Sequence, residues 1–380
     1  MIITRTINGI ELDIDVSKPN ELFFEEDFAK NLPSDGINDI LTQIYNYNPS
    51  YFPGSMMIEL TCKCNFGCKF CYINSSKFPS HYAEKRFDEI EKDLKYLIRK
   101  GLLSCTITGG ECLIHPDFVK IYRFLKENGV IVIVLSNLSI LKQEHIDIFK
   151  KFPPFKVDVS VYGIDNAAMQ QITSQNKYNS DVVLNNVLKL KTEGINVHCK
   201  TPVNTLTKSE CENIQTWCEE NNIKYFSSPE IFENYDGQSM DMYSVEVNDI
   251  IDDRLDIAKE KHGNELTAFG QKTNFECKGG EYGFFISYDY KLRPCMPFYA
   301  VPDANYDISE LGIETAFERM QQLIEKYKGT KLKGCSGCTA VNMCKECIIT
   351  QLRYDEDDLM SKMKEICLEN KKMLSSANGK

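Results

Sequence analysis

No apolar stretch of this chain is long enough to span a membrane, and its N-terminus has no apolar signal-peptide core. Both gaps point to a reducing cytoplasm, where disulfides are disfavoured. Positive charge is also in short supply. With 44 Lys and Arg against 55 Asp and Glu, the formal net charge is −11, which argues against sequence-independent binding of DNA or RNA. An acidic surface serves solubility and also suits a peptide with a basic leader. There is no internal repeat and no low-complexity tract. The five histidines, His81, His115, His145, His198 and His262, form no HExxH pair, and neither a GxSxG elbow nor a P-loop is present. What the chain does have is cysteine, 16 in 380 residues, and 42% hydrophobic residues, enough for a large core and two or three domains.

The run Cys64-Asn65-Phe66-Gly67-Cys68-Lys69-Phe70-Cys71 carries three thiols spaced x3 and x2. Three thiolates can bind three irons of a four-iron cluster and leave the fourth iron exchangeable. The competing reading is a zinc knuckle with Cys62 as a further ligand, although zinc sites usually pair CxxC with a second such pair. After the loop, Phe87, Ile90, Leu94, Leu97 and Ile98 fall at helical spacing, and Ser104 to Thr108 reads as a strand ending in Gly109-Gly110-Glu111. A glycine pair lets backbone approach a ligand, and a neighbouring carboxylate can bind an ammonium group. Most such triplets elsewhere are turns with a solvated Glu.

Strand-like runs recur at Met57 to Leu60, Ser104 to Thr108, Val130 to Leu135, Val157 to Tyr162, Ile195 to Lys200 and Lys224 to Ser227. Helical stretches such as Val182 to Leu190 and Glu210 to Glu220 separate them. Six βα units with buried parallel strands predict an α/β chain with a partial (β/α)6 TIM-like barrel, whose ligands sit at the strand C-terminal ends. Ser136 and Asn137 end the third strand, Ser160 lies within the fourth and Lys200 closes the fifth. Each also reads as an ordinary strand-end hydrogen-bonding residue.

Cys277, Cys295, Cys335, Cys338, Cys344, Cys347 and Cys367 crowd the C-terminal third, a density that packing does not require. A zinc ribbon on Cys335-x2-Cys338 and Cys344-x2-Cys347 leaves only five residues between the pairs and three cysteines unused. Residues 1–52 stand apart. Ile2 to Asp15 alternate apolar and polar around Asn8-Gly9, a hairpin signal, and Ile37 to Tyr47 suit a short amphipathic helix. The chain thus divides into a small N-terminal α+β segment over 1–52, a barrel over 53–265 and a loop-rich, cysteine-dense domain over 266–380.

The cysteine loop, with Tyr72 directly after its last Cys, resembles that of the radical S-adenosylmethionine (SAM) superfamily. The C-terminal cysteines resemble the SPASM extension of that superfamily. Together they resemble the maturases of ribosomally made peptides, to which Val157 to Thr201 is also similar. The resemblance implies a [4Fe-4S] cluster on Cys64, Cys68 and Cys71 whose open iron chelates SAM, which is cleaved to a 5'-deoxyadenosyl radical. It implies SAM contacts at Gly109, Gly110, Glu111, Ser136, Asn137, Ser160 and Lys200. It implies two auxiliary [4Fe-4S] clusters, a proximal one on Cys277, Cys295 and Cys347 and a distal one on Cys335, Cys338, Cys344 and Cys367. It also implies a peptide or small-protein substrate and an electron donor such as flavodoxin or ferredoxin, with residues 1–52 as a truncated leader-recognition element or a barrel cap.

Departures are few. Cys112 stands where the family has Pro, Tyr290 where it has Gly, and the last cysteine pair is spaced x2 rather than x3. Gly283 and Met296 occupy places where the sulfatase-maturing branch carries Cys and Asp, which counts against formylglycine formation. With no Cys between Cys277 and Cys295, the proximal cluster is expected to lack a fourth protein ligand, unless Cys199, Cys211 or Cys218 closes it. The rival readings are a radical SAM enzyme acting on another protein or a small molecule, and a non-catalytic metal-binding scaffold.

Overall fold

The computed structural model describes residues 1–7, 10–18, 22–24, 52–75, 84–174, 179–229, 231–245, 279–328 and 371. Strands β1 (Ile2–Ile7) and β2 (Ile10–Asp15) pair antiparallel with Ile7 opposite Ile10, as the Asn8-Gly9 signal predicts, and β3 (Leu22–Phe24) adds to β2. Arg5 on β1 fastens this small sheet to the rest. Its guanidinium donates to the carbonyls of Leu102 at 2.6 Å, Gly129 at 3.2 Å and Ile98 at 2.9 Å. Those carbonyls lie where the chain enters the next two central strands, at the end opposite the cysteine loop. Through Arg5 the described part of the N-terminal segment is held against that end of the central sheet. The stretch 37–47 lies outside the described residues.

Except at its exposed edge run Lys224–Ser228, the central sheet grows from largely apolar, buried runs, which favours parallel pairing under a cover of helices. In chain order its first six strands are β4 (Ser55–Glu59), β5 (Ser104–Thr108), β6 (Ile131–Ser136), β7 (Lys156–Ser160), β8 (Val197–Pro202) and β9 (Lys224–Ser228), all parallel. The expected runs match these within about two residues; Ser160 is the last residue of its strand, and β8 runs past Lys200 to Pro202. Between them lie α1 (Phe87–Lys100), α2 (Phe118–Glu127), α3 (Gln143–Lys151), α4 (Asn166–Thr173), α5 (Ser180–Thr192) and α6 (Cys211–Glu220). Helix α1 shows why. Ile90, Leu94 and Leu97 repeat at helical spacing and are buried, each stabilising the fold by roughly 1.5–3 kcal/mol at most. It stops at Gly101, whose φ of +118° suits glycine.

Beyond the six expected strands, β10 (Gly283–Ile286) pairs parallel with β4, Phe285 opposite Met57, and β11 (Lys291–Arg293) and β12 (Tyr306–Asp307) continue antiparallel. The full sheet has nine strands in the order β12-β11-β10-β4-β5-β6-β7-β8-β9. Helix α7 (Ile313–Tyr327) covers this extension, with Phe317 packed 4.7 Å from Phe284 and 4.8 Å from Phe52. The described part of the third segment thus contains strands and a long helix besides its loops. Among the described residues no helix is long and apolar enough to cross a membrane.

Candidate functional site

Strand β4 delivers the chain straight into the cysteine loop at the C-terminal end of the sheet. Buried Phe66, Phe70 and Ile73 anchor the loop, and Gly67 and Lys69 donate their amides to the Thr173 and Ile172 carbonyls at 2.8 and 3.2 Å. The Gly109-Gly110 pair after β5 runs alongside: Gly110 donates to the Thr61 carbonyl at 2.7 Å and Glu111 to that of Lys63 at 2.9 Å. A Cβ on Gly110 would fall inside contact distance of the Lys63 carbonyl oxygen and 2.7 Å from that of Cys62; one on Gly109 would lie 2.5 Å from the Thr61 oxygen. The missing side chains let the cysteine loop lie flat against β5.

Around this contact opens a cavity of about 510 Å³. Cys64, Cys68 and Cys71 all line it, together with Gly109 and Gly110. Ser136, Asn137, Ser160 and Lys200 form another part of its wall, so strand ends far apart in sequence meet there. Lys200 is held by Asp158, with 2.7 Å between Nζ and Oδ2.

Glu111 differs from the expectation. The sequence reading aims its carboxylate at a ligand ammonium; in the structure it is 1% exposed and absent from the cavity wall. Oε1 accepts from the Ser136 hydroxyl at 2.7 Å and the Leu113 amide at 3.0 Å, and Oε2 from the Asn137 amide at 2.7 Å. Desolvation raises its pKa, against these three donors. With both oxygens occupied by strand-end donors, Glu111 ties β5 to β6.

Several site residues were not singled out from sequence. Tyr162 lines the cavity, its ring edge-on to Phe70 of the cysteine loop at 5.4 Å. Phe226 and Phe232 stand at the mouth, 48% and 38% exposed. Glu59, the last residue of β4, is buried and accepts from the hydroxyls of Tyr72 at 2.8 Å and Tyr235 at 2.9 Å and from the Tyr288 amide at 3.2 Å. Burial pushes its pKa up to about 7. An acidic residue inside an apolar strand run was the available signal.

The donor set suits a cluster better than a single ion. Among the described residues no three Cys, His, Asp or Glu side chains converge on one metal position, whereas zinc thiolates all lie about 2.3 Å from one ion. Three thiols spread around one cavity have the arrangement that an inorganic cluster needs. Burial pushes the Cys64 thiol up to about 12 and Cys68 well above its usual range, so bound iron would supply the positive charge that favours thiolates. Of the expected auxiliary ligands only Cys295 is among the described residues, and its neighbour Met296 lines the cavity. Cys277, Cys335, Cys338, Cys344, Cys347 and Cys367 lie outside them.

Residues 58–216, which hold the loop, the glycine pair and strands β5 to β8, match the radical SAM superfamily. This stretch is a radical SAM domain. Members of that superfamily bind SAM and a four-iron cluster, and the loop of this radical SAM domain carries the thiols for one. The chain is 32% identical over 94 residues to the antilisterial bacteriocin subtilosin biosynthesis protein AlbA of Bacillus subtilis, covering 25% of this chain and 20% of that protein. It is 21% identical over 271 residues to the sporulation killing factor maturation protein SkfB of the same organism, covering 69% and 65%. The chain thus spans less than two thirds of the length of these relatives. Among solved structures, Streptococcus suis SuiB bound to its precursor peptide SuiA superposes with a TM-score of 0.66 at 14% identity, over 94% of this chain and 98% of that one. That likeness shows a shared fold.

Proposed function

We propose that the chain is a radical SAM/SPASM peptide maturase, which abstracts hydrogen from a ribosomally made peptide or small protein and forms a thioether or other side-chain crosslink. The observation that carries this reading is the meeting of Cys64, Cys68 and Cys71 with Gly109, Gly110 and the polar ends of β6 to β8 around one cavity. Two relatives named for bacteriocin biosynthesis and killing-factor maturation support the substrate class.

Bound there, SAM and a four-iron cluster supply the 5'-deoxyadenosyl radical. The chain's own residues hold and shield. Cys64, Cys68 and Cys71 hold three irons; Gly109 and Gly110 offer backbone to SAM; Ser136, Asn137, Ser160 and Lys200 offer polar contacts to its ribose and carboxylate. Phe226 and Phe232 narrow the mouth and exclude water from a radical that side reactions would quench. Cys277, Cys295 and Cys347 would hold a proximal auxiliary cluster open to a substrate thiolate, and Cys335, Cys338, Cys344 and Cys367 a distal one. Met296 on the cavity wall supports the nearness of the proximal set. An electron donor such as flavodoxin or ferredoxin would reduce the protein.

The test is 5'-deoxyadenosine formation from SAM by anaerobically reconstituted, reduced protein, beside a Cys64→Ala, Cys68→Ala, Cys71→Ala variant. Product from the intact protein alone is expected, followed by mass loss in peptides encoded nearby. An iron-loaded protein that yields no product with those peptides present, or a protein that takes up zinc in place of iron, overturns the reading.

A further inference from the structure

One residue expected to contact SAM, Asn137, also turns its side-chain amide toward a cysteine sulfur. Asn137 is 6% exposed, and its amide orientation is fixed by donors that cannot be reversed. The Ser139 backbone amide donates to Oδ1 at 2.9 Å, and the Ser139 hydroxyl does so at 2.7 Å. A backbone N–H only donates, so the atom facing it is the oxygen. Nδ2 is thereby turned the other way, 3.1 Å from Asn65 Oδ1 and 3.6 Å from Cys64 Sγ. Asn65 closes the ring by donating to the Ser139 hydroxyl at 2.6 Å. The Cys64 sulfur accepts a second N–H, from Phe66 at 3.3 Å. Behind Asn137 stands Glu111, whose carboxylate holds the Asn137 backbone amide at 2.7 Å and the Ser136 hydroxyl at 2.7 Å.

We propose that Asn137 is a positioning residue for the Cys64 thiolate, donating its side-chain N–H to that sulfur, while Ser139, Asn65 and Glu111 hold the amide in place. This rests on the reading that Cys64, Cys68 and Cys71 hold a four-iron cluster. Hydrogen bonds to cluster sulfurs stabilise the more negative, reduced state and raise the reduction potential. One electron is taken up and no covalent bond changes. Asn137 therefore sets how readily the cluster accepts its electron, before SAM is present.

The experiment is a dithionite redox titration of the anaerobically reconstituted full chain without SAM, followed by electron paramagnetic resonance. The signal tracked is the one that changes on adding SAM to a parallel sample and is missing from the Cys64→Ala, Cys68→Ala, Cys71→Ala variant. Asn137→Ala is expected to shift its midpoint to more negative potential at unchanged iron content. Asn137→Asp keeps the shape and the Oδ1 acceptor but removes the donor, and is expected to shift it further in the same direction. Ser139→Ala, which removes the hydroxyl that donates to Oδ1 and holds Asn65 but keeps the backbone donor, is expected to give a smaller shift of the same sign. A wild-type midpoint in Asn137→Ala and Asn137→Asp overturns the proposal; if Asn137→Ala takes up no iron, Asn137→Leu, uncharged and close in shape, decides in its place. A signal that persists in the triple cysteine variant overturns the cluster reading itself, a distinguishable failure.

Discussion

Glu59 is a carboxylate kept where carboxylates are costly. Its anion is matched by two tyrosine hydroxyls and one backbone amide, with the Arg293 charge near, yet burial still raises its pKa from 4.5 to about 7. The folded state therefore binds a proton more tightly than the unfolded one. Stability from this group is fully present below about pH 4.5 and is lost as pH rises towards about 7, on the order of 3 kcal/mol in all. Glu59→Gln, which has no such proton to lose, is expected to flatten the fall in melting temperature across that window relative to wild type. An unchanged pH slope would contradict the assignment. Beyond the oddity of an acidic residue in an apolar run, little of this was legible in sequence, because two of the three partners lie 176 and 229 residues away. That Cys64, Cys68 and Cys71 come together with Gly109 and Gly110 was legible, because each group is contiguous and one βα unit separates them. For Glu111 the neighbours in sequence suggested a ligand, while its neighbours in space, Ser136 and Asn137, which donate to both its oxygens, could not be read there.

At the scale of elements, the six parallel strands were readable from their apolar runs, whereas β10 to β12 were not, being only four, three and two residues long. The β10–β11 turn explains one departure from the family pattern. Tyr290 has φ +61°, the left-handed region that glycine adopts without cost, and stands where the family has Gly. Its ring is buried and its hydroxyl donates to Asp93 on α1 at 2.8 Å, which offsets the backbone strain. The N-terminal hairpin depends similarly on Arg5. Arg5→Ala leaves three carbonyls near the barrel bottom without this donor and is expected to cost on the order of 2 to 3 kcal/mol. Chemical denaturation should show the loss, and limited proteolysis should cut the freed hairpin first. A wild-type midpoint would mean that water satisfies those carbonyls as well.

Among the described residues, the nine-stranded sheet carries two cysteine-bearing loops. Strand β4 leads into Cys64, and β11, two strands along, leads into Cys295. A chain ending after residue 245 lacks β10 and leaves the β4 edge with nothing to pair with on that side. Such a fragment is expected to elute as aggregates in size-exclusion chromatography, where the full chain does not; a monodisperse fragment would show that the barrel closes without the extension.

The pairing of β4 with β10 also sets a timetable for biosynthesis. The strand that opens the barrel waits for a partner made more than two hundred residues later, as the Glu59 to Tyr288 contact across 229 residues illustrates. Closing so long a loop is slow, and parallel pairing across it is slower still. The cysteine loop therefore leaves the ribosome before the strand ends that wall its cavity, and long before Met296, the last of the lining residues, so the cavity is completed only from the far end of the chain.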